Sequence, residues 1–320
     1  MTLSKLAEIA HVSVSTVSKA FSASCEVSAE TRKYIFDIAK QHGCFEKYYK
    51  EKYDKKVIAI ICPELCSEYY SSFVTCIEKK LSKVGCTTLL SVTNFELQRE
   101  MDIINYYRCF AKVSGMIIMD GIRDLPLIEN LPCVGVCGIY RNDMDVILLN
   151  DEGMEQAVCH LKENGHKDVA FFGEMLTTRR EIKFTELAKK YGIAVRDECI
   201  FRSDLRFEKA GEWCAEQFLK LGNKPTAFFA AYDYIALGAV NKLKSKGFLI
   251  PESFSAVSTN NIQTAGYEDI SLTSVNTDFE KIADIAFELL MKRIESPDRE
   301  YETVEVKTEL VKRNSIIKVL

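Results

Sequence analysis

Thr2-Leu3-Ser4-Lys5-Leu6-Ala7-Glu8-Ile9-Ala10-His11-Val12-Ser13-Val14-Ser15-Thr16-Val17-Ser18-Lys19-Ala20-Phe21, followed by Val27-Ser28-Ala29-Glu30-Thr31-Arg32, is the stretch that decides the reading of this chain. Leu3, Leu6, Ala7 and Ala10 recur at i, i+3, i+4 and i+7, the spacing of one apolar helix face. Val12 supplies a buried-type residue in the turn that follows. Ser13 is a good N-cap for a second helix, because its hydroxyl accepts a free backbone N–H. On that helix Val17, Ala20 and Phe21 share one face, while Val14, Ser15, Ser18, Lys19 and Ser22 cover the opposite arc. Ser28 caps a third helix, with Glu30 in its first turn near the positive end of the dipole. Ile35, Ile38 and Ala39 supply the inner face of that helix. Three short helices with a tight turn between the first two make a helix-turn-helix, which names duplex DNA as a ligand class. A small three-helix bundle with a solvated serine face would share the bare spacing, so the remaining chain has to arbitrate.

Charge is distributed unevenly. Residues 1–56 hold nine Lys and one Arg against seven acids, a net of +3. The whole chain is −4, so residues 57–320 carry −7. A basic end on an acidic body is the asymmetry expected of a protein that meets nucleic acid with one end. At 320 residues and 47% hydrophobic content there is room for two or three domains with large cores. No apolar N-terminal leader and no run near the ~20 residues of a membrane span is present, which points to the cytoplasm. Twelve cysteines lie among apolar residues, with Cys62, Cys86, Cys133 and Cys137 in or beside apparent strands. No CxxC occurs, so they read as buried, reduced thiols. Four scattered histidines lack ligand spacing. Neither a metal nor a cofactor is expected.

From Val57 onward the chain alternates strand and helix. Val57–Cys62 is an apolar run of strand length, followed by an amphipathic stretch from about Ser71 to Val84, then Thr87–Val92, a helix around Glu96–Phe110, Gly115–Met119 and Cys133–Cys137. The pattern restarts after Asp151. A helix over 151–163 precedes strands at Val169–Phe172, Ala227–Ala231 and Ser255–Ser258, with helices near 178–190, 207–221 and 234–246. A helix at Phe279–Glu295 and a strand at Val304–Leu310 follow. Continuous apolar runs between helices imply parallel sheet buried on both faces. The expected fold is therefore α/β: a helix-turn-helix headpiece, then two doubly wound parallel sheets in two lobes with a cleft between them. Ligands in such sheets sit beyond the carboxyl ends of the strands.

The run Val12–Lys19, with Val27–Arg32, resembles the headpiece of the lactose-repressor/galactose-repressor family of bacterial transcription regulators. The resemblance covers nearly the whole chain. It extends through Asn150-Asp151-Glu152-Gly153, Leu161-x-x-x-Gly165-His166-x-x-Val169-Ala170-Phe171-x-Gly173, Pro225–Ala231, Ala236-Leu237-Gly238 and Gly247-Phe248-x-Ile250-Pro251. It implies a helix-turn-helix domain over 1–44, a linker or hinge over 45–56, and a periplasmic-binding-protein-like effector and dimerisation module over 57–320. Within that module, one lobe is expected at about 57–150 plus 279–300 and the other at about 151–275 plus 304–320. In the family a Pro-Asn-x-x-Ala-x-x-x-Leu segment folds into a hinge helix whose leucine wedges into the minor groove. Here Glu46, Lys47 and Lys50 replace the first three and Tyr53 stands near the leucine. Lys50 and Tyr53 are the candidate hinge contacts, and a solvated linker is the alternative.

The resemblance assigns base contacts to Val14, Ser15 and Lys19. Lys19 can donate to guanine O6 or N7 and Val14 can touch a thymine methyl. The family usually carries arginine at the Lys19 position, and lysine lacks its bidentate fork. Thr2, Ser13, Thr16, Ser22, Ser28 and Thr31 are candidates for phosphate contacts or for caps. In the cleft, Arg180 matches an arginine that commonly contacts effector, with Phe184 four residues on. Asp233 and Tyr232 fall where the family has Asn-Asp, and Asn260-Asn261 where it has Asp-Asp or Asp-Asn. Leu149 sits where an aspartate often appears. Arg206 aligns to a pocket aromatic, although a shift of one residue would put Phe207 there. Arg180, Arg206, Tyr232, Asp233 and Asn260 are thus the candidate effector residues. Fewer carboxylates and an added cation suggest an acidic or phosphorylated effector, against the alternative that Arg206 is a solvated loop residue. Trp213 reads as core. No nucleophile elbow, P-loop or paired-carboxylate site occurs, so no enzyme activity is expected. The implied protein is a homodimeric, cytoplasmic regulator on a palindromic operator, in the manner of a repressor. A regulator driven by a protein partner or by no ligand, and a solute-binding receptor, are the other readings.

Overall fold

In the computed structural model, residues 1–22, 26–52, 55–111, 113–121, 131–138, 143–267 and 271–319 are described, with side chains 49–52 outside that description. The headpiece comprises α1 (Leu3–Ile9), α2 (Val14–Phe21), α3 (Ala29–Gln41) and α4 (Phe45–Lys52). Each of the first three starts on a hydroxyl cap: Thr2 accepts from Lys5 N, Ser13 from Thr16 N and Ser28 from Thr31 N. The core is the one the periodicity outlines, with Leu6, Ala7, Ala10, Val17, Ala20, Phe21, Ile35, Ile38 and Ala39 buried. Within the expected linker or hinge over 45–56, residues Phe45–Lys52 are helical, and Phe45 and Tyr48 lie on this core. Phe45 packs 5.1 Å from Phe36, and the ring of Tyr48 lies 5.5 Å from Phe21. The Tyr48 hydroxyl donates to Met1 O at 2.5 Å. Two aromatic anchors, Phe45 and Tyr48, therefore attach α4 to the headpiece.

The rest of the chain builds two six-stranded sheets. The first contains β1 (Val57–Cys62), β2 (Thr87–Val92), β3 (Gly115–Met119), β4 (Cys133–Val136), β5 (Asp145–Leu149) and β11 (Thr303–Val306), in the order β11-β5-β4-β3-β1-β2, all parallel. Helices α5 (Glu68–Lys83), α6 (Leu97–Cys109) and α11 (Phe279–Glu295) accompany it. The second contains β6 (Val169–Glu174), β7 (Ile200–Ser203), β8 (Ala227–Ala230), β9 (Ser255–Asn260), β10 (Thr273–Asn276) and β12 (Glu309–Val311), in the order β12-β10-β9-β8-β6-β7. Only the β10–β12 pairing is antiparallel among the described strands. Helices α7 (Glu152–Glu163), α8 (Thr178–Lys190), α9 (Phe207–Lys220) and α10 (Asp233–Ser245) belong to this lobe.

One lobe boundary differs from expectation. Residues 304–320 were assigned whole to the second lobe, but Thr303–Val306 pairs with Val146–Leu149 in the first sheet. The single strand read at Val304–Leu310 is two strands, one for each sheet. The chain therefore crosses between lobes three times, after β5, β10 and β11. Thr308 ties two of these crossings: its N–H donates to Asn150 Oδ1 at 2.8 Å, and its hydroxyl accepts from Gly153 N at 3.0 Å. That gives the Asn150–Gly153 signature a structural role at the hinge between lobes.

The signature Ala236-Leu237-Gly238 has a packing cause. A Cβ on Gly238 would sit 1.9 Å from Glu208 O, and one on Gly211 would sit 2.0 Å from Ile235 O. Helices α9 and α10 approach backbone to backbone there, which only glycine permits. Trp213 packs half-buried against the same core, as expected. At the far end of the first lobe, buried Asp145 accepts from Arg293 Nε at 2.9 Å and Nη2 at 3.0 Å, and pairs with Arg299 at 2.9 Å. This joins the end of α11 to the start of β5. The eleven described cysteines are free, and Cys44, Cys62, Cys133, Cys137, Cys199 and Cys214 are buried. Cys66 and Cys109 are exposed, which departs from the expectation of uniformly buried thiols. No described helix is long and apolar enough to cross a membrane.

Candidate DNA interface and candidate ligand cleft

The outer arc of α2 stands away from the headpiece core. Val14 is 44% exposed although apolar, and Ser15 beside it is exposed. The Lys19 ammonium pairs with the Glu26 carboxylate. A base contact by Lys19 would have to break that pair. The six hydroxyls weighed between phosphate and cap all make local bonds. Thr2, Ser13 and Ser28 cap helices, Thr16 and Thr31 lie 2.7 and 2.9 Å from the capping serines, and Ser22 donates to Lys19 O at 3.0 Å. His11 takes a left-handed φ of 52° in the turn between α1 and α2. Of the hinge candidates, Lys50 lies on α4 with its side chain outside the described residues, and Tyr53 lies outside them altogether.

Between the sheets, beyond the carboxyl ends of the strands, is a cavity of about 760 Å³. Tyr69 and Tyr70 on α5, Phe95 after β2 and Asp120 after β3 line it from the first lobe. Glu174 at the end of β6, Arg180 on α8, Arg206 and Phe207 at the start of α9, Tyr232 after β8 and Asn260 at the end of β9 line it from the second. Arg180 donates to Ala231 O at 2.8 Å and to Asn260 Oδ1 at 3.2 Å, and its guanidinium lies 5.8 Å from the Tyr69 ring across the cleft. Both acceptors are neutral, and the carboxylate that its charge acts on is Asp120, across the cleft. Asn260 and Asn261 both adopt left-handed backbone, with φ of 96° and 53°, a conformation in which asparagine is enriched.

Four of the five candidate effector residues line the cleft; Asp233 does not. It is fully buried behind it, where its carboxylate accepts from the Ser258 hydroxyl, from Ser274 Oγ at 2.6 Å and from Ile262 N at 2.8 Å. Its sequence neighbourhood is the family motif, but the side chain ties α10 to β9 and β10. Burial pushes its pKa up to about 6. Arg206 also differs from the expectation of a spare cation. Its Nε donates to Glu174 Oε1 at 3.2 Å, and Glu174 is buried with its other oxygen accepting from Tyr232 at 2.7 Å. Tyr232 consequently acts through Glu174 instead of as a free hydroxyl.

Asp120, Glu174, Phe95, Tyr69 and Tyr70 escaped the residue-by-residue reading. Asp120, Glu174 and Phe95 lie at or just after strand carboxyl ends, so the rule placing ligands there could have located them. Asp120 accepts from the Tyr70 hydroxyl at 2.8 Å. Burial raises its pKa to about 6, with the Tyr70 bond and the nearby guanidinium groups of Arg180 and Arg179 opposing the rise.

A helix-turn-helix headpiece on two doubly wound lobes with a lined cleft between them defines a ligand-responsive DNA-binding regulator. Comparison agrees in both parts. Residues 2–44 match the family described as "Bacterial regulatory proteins, lacI family", and residues 158–316 match the periplasmic binding protein-like domain. The chain thus joins a DNA-binding domain of the lacI family to a periplasmic-binding-protein-like domain, the make-up of a transcription regulator and not of an enzyme. The HTH-type transcriptional repressor PurR of Mannheimia succiniciproducens is 28% identical, with 99% of each chain covered. That of Actinobacillus pleuropneumoniae serotype 3 is 29% identical over 98% of each. Among solved structures, the lac repressor dimer bound to operator and the anti-inducer ONPF superposes with a TM-score of 0.75 at 20% identity, covering 99% of both chains. The regulator CelR in complex with cellobiose gives 0.71 at 22% identity, covering 98% of this chain and 99% of that one. These two likenesses are of fold.

Proposed function

We propose that the protein is a homodimeric repressor that binds a palindromic operator through two headpieces and changes its DNA affinity when a small molecule enters the cleft. The observation that carries this reading is the cleft itself: one cavity walled by both lobes, in a chain whose first helices form a reading head. Headpiece 1–52 followed by the two-lobed body is the domain division this reading uses. Val14, Ser15 and Lys19 meet base edges; the capping hydroxyls and the lysines of α4 meet phosphate and set position. Two headpieces related by a two-fold axis read two half-sites. Exposed apolar side chains at one edge of the first lobe support pairing of the bodies: Leu89 and Leu90 on edge strand β2, and Leu97, Tyr106 and Phe110 on or beside α6. As a bacterial DNA-binding protein it acts in the cytoplasm.

The effector presents one anionic or strongly accepting group to Arg180. Glu174 pairs with Arg206, so Arg206 does not add a second free cation for an acidic ligand. Selection of bound duplexes from a random library at two salt concentrations, with a thermal-shift screen of small acids, sugar phosphates and neutral sugars, tests the proposal. An enriched palindrome and stabilisation by acids are expected, since a ligand that binds only the folded chain raises its melting temperature. Binding without an enriched motif, lost steeply with salt, would leave only phosphate association. Stabilisation by neutral sugars but not by acids would overturn the effector class.

A further inference from the structure

The Arg206 side chain is held by a constellation that its pairing with Glu174 does not by itself require. The guanidinium carbon lies 4.6 Å from the centroid of the Phe95 ring, contributed by the first lobe, and 4.5 Å from that of Phe207, contributed by the second. Beneath it is Glu174, buried and fixed by Tyr232, whose hydroxyl accepts in turn from Phe207 N at 3.2 Å. Both aromatic walls sit on left-handed backbone: φ is 62° at Phe95, 55° at Asn94 before it and 58° at Phe207. Bulky residues rarely adopt that conformation, and it persists where surrounding structure imposes it. Two strained aromatics and a buried carboxylate thus converge on one planar cation.

Ring faces attract cations, and a carboxylate accepts the N–H groups of an amidinium in the plane. We infer that the slot bounded by Phe95, Phe207 and Glu174 is a binding subsite for a planar cation of the amidinium or guanidinium class, and that Arg206 is its resident occupant, displaced when such a ligand enters. This rests on the reading of the cleft as a ligand site and names a second chemical group that the ligand carries. The hold on Arg206 is loose enough for exchange. It makes one bond to Glu174, at 3.2 Å, and its side chain is 35% exposed. In the same lobe Arg202 grips Glu181 through two bonds of 2.6 Å. A ligand offering two N–H groups to Glu174 replaces one long bond with a better pair. Its entry also removes the Arg206–Phe95 stack, a contact that joins the lobes, so exchange at the slot is coupled to how the lobes sit.

Benzamidine, an amidinium on a flat ring, is the probe. It is titrated into the full-length protein without DNA by calorimetry and thermal unfolding, against tetramethylammonium chloride at equal ionic strength. Arg206→Ala empties the slot and is expected to bind benzamidine at least 10-fold more tightly than the parent chain. Adding Phe95→Ala or Glu174→Gln to that variant is expected to abolish the gain. Equal affinity of the parent and Arg206→Ala, or binding that survives both second substitutions, overturns the inference. Should Arg206→Ala fail to fold with Glu174 left unpaired, Arg206→Lys keeps the charge without the plane and is expected to show the same direction of change. No gain there overturns it equally. A chain that selects an operator and is stabilised by acids but ignores benzamidine keeps the proposed function and loses this slot.

Discussion

At the scale of single residues, Asp233 shows how a motif position can serve structure. Three donors reach its carboxylate, yet full burial dominates and lifts the pKa from 3.8 to about 6. The folded carboxyl therefore binds its proton more tightly than the unfolded one. Linkage fixes the sign: its contribution to stability is greatest below about pH 4 and declines as pH rises through about 6. Asp120 shifts in the same direction. Urea unfolding between pH 4.5 and 7.5 should show stability falling with pH on this account, and Asp233→Asn should flatten part of that slope. An unchanged slope would mean that the carboxylate is no harder to ionise in the fold than in the chain. The residue also marks a limit of sequence reading. Family spacing placed Asp233 next to the cleft, but which way a side chain points from the start of α10 depends on the serines of β9 and β10, which arrive 25 and 41 residues later.

At the scale of elements, the strands and helices of the body were largely legible because β1, β3, β6 and β8 are continuous apolar runs buried on both faces. β7 and β10 were not, because Arg202 and Ser274 interrupt their apolar character, nor was β5, whose apolar run Val146–Leu149 is only four residues behind Asp145. Each of those polar side chains has its partner elsewhere in the fold, where no local pattern can show it. The glycines of α9 and α10 were visible as a signature but not as a cause. Their cause is the backbone contact between the two helices, from which Gly238→Ala is expected to destabilise by about 1–3 kcal/mol as an overpacked site. A fall in the urea midpoint with an unchanged m-value would show this; no fall would mean that the helices can separate cheaply. Helix α4 was the element read least well. Its charged sequence suggested solvent, while Phe45 and Tyr48, three residues apart, supply the one face that docks. Phe45→Ala should cost about 3–5 kcal/mol if that face is packed like a core, and less in proportion to its partial exposure. Loss of α4 helicity with the rest of the headpiece intact would be the spectroscopic sign.

For the whole molecule, charge and symmetry decide how DNA is met. The headpiece segment carries +3 and the remainder −7, so phosphate attracts one end of each subunit while the acidic bodies are repelled. A dimer presents two such ends, and each lysine on phosphate counts twice. Lys47 is exposed on α4 near the Tyr48 ring, a position suited to backbone contact. Lys19 stands on the outer arc of α2, paired with Glu26. The two lysines should therefore fail differently. Lys47→Ala should weaken binding to every duplex alike and reduce the slope of log K against log salt by about 2 per dimer, one for each headpiece. Lys19→Ala should relax the preference at one base pair of each half-site, where a good base contact is worth about 1–3 kcal/mol of discrimination. Glu26→Gln should strengthen binding by removing the competitor, with the preferred sequence unchanged. Affinities for a selected operator and for single-base variants, measured from low to moderate salt, separate these outcomes. If Lys19→Ala altered only the salt slope, Lys19 would be a phosphate contact, and sequence discrimination would fall to Val14 and Ser15 alone.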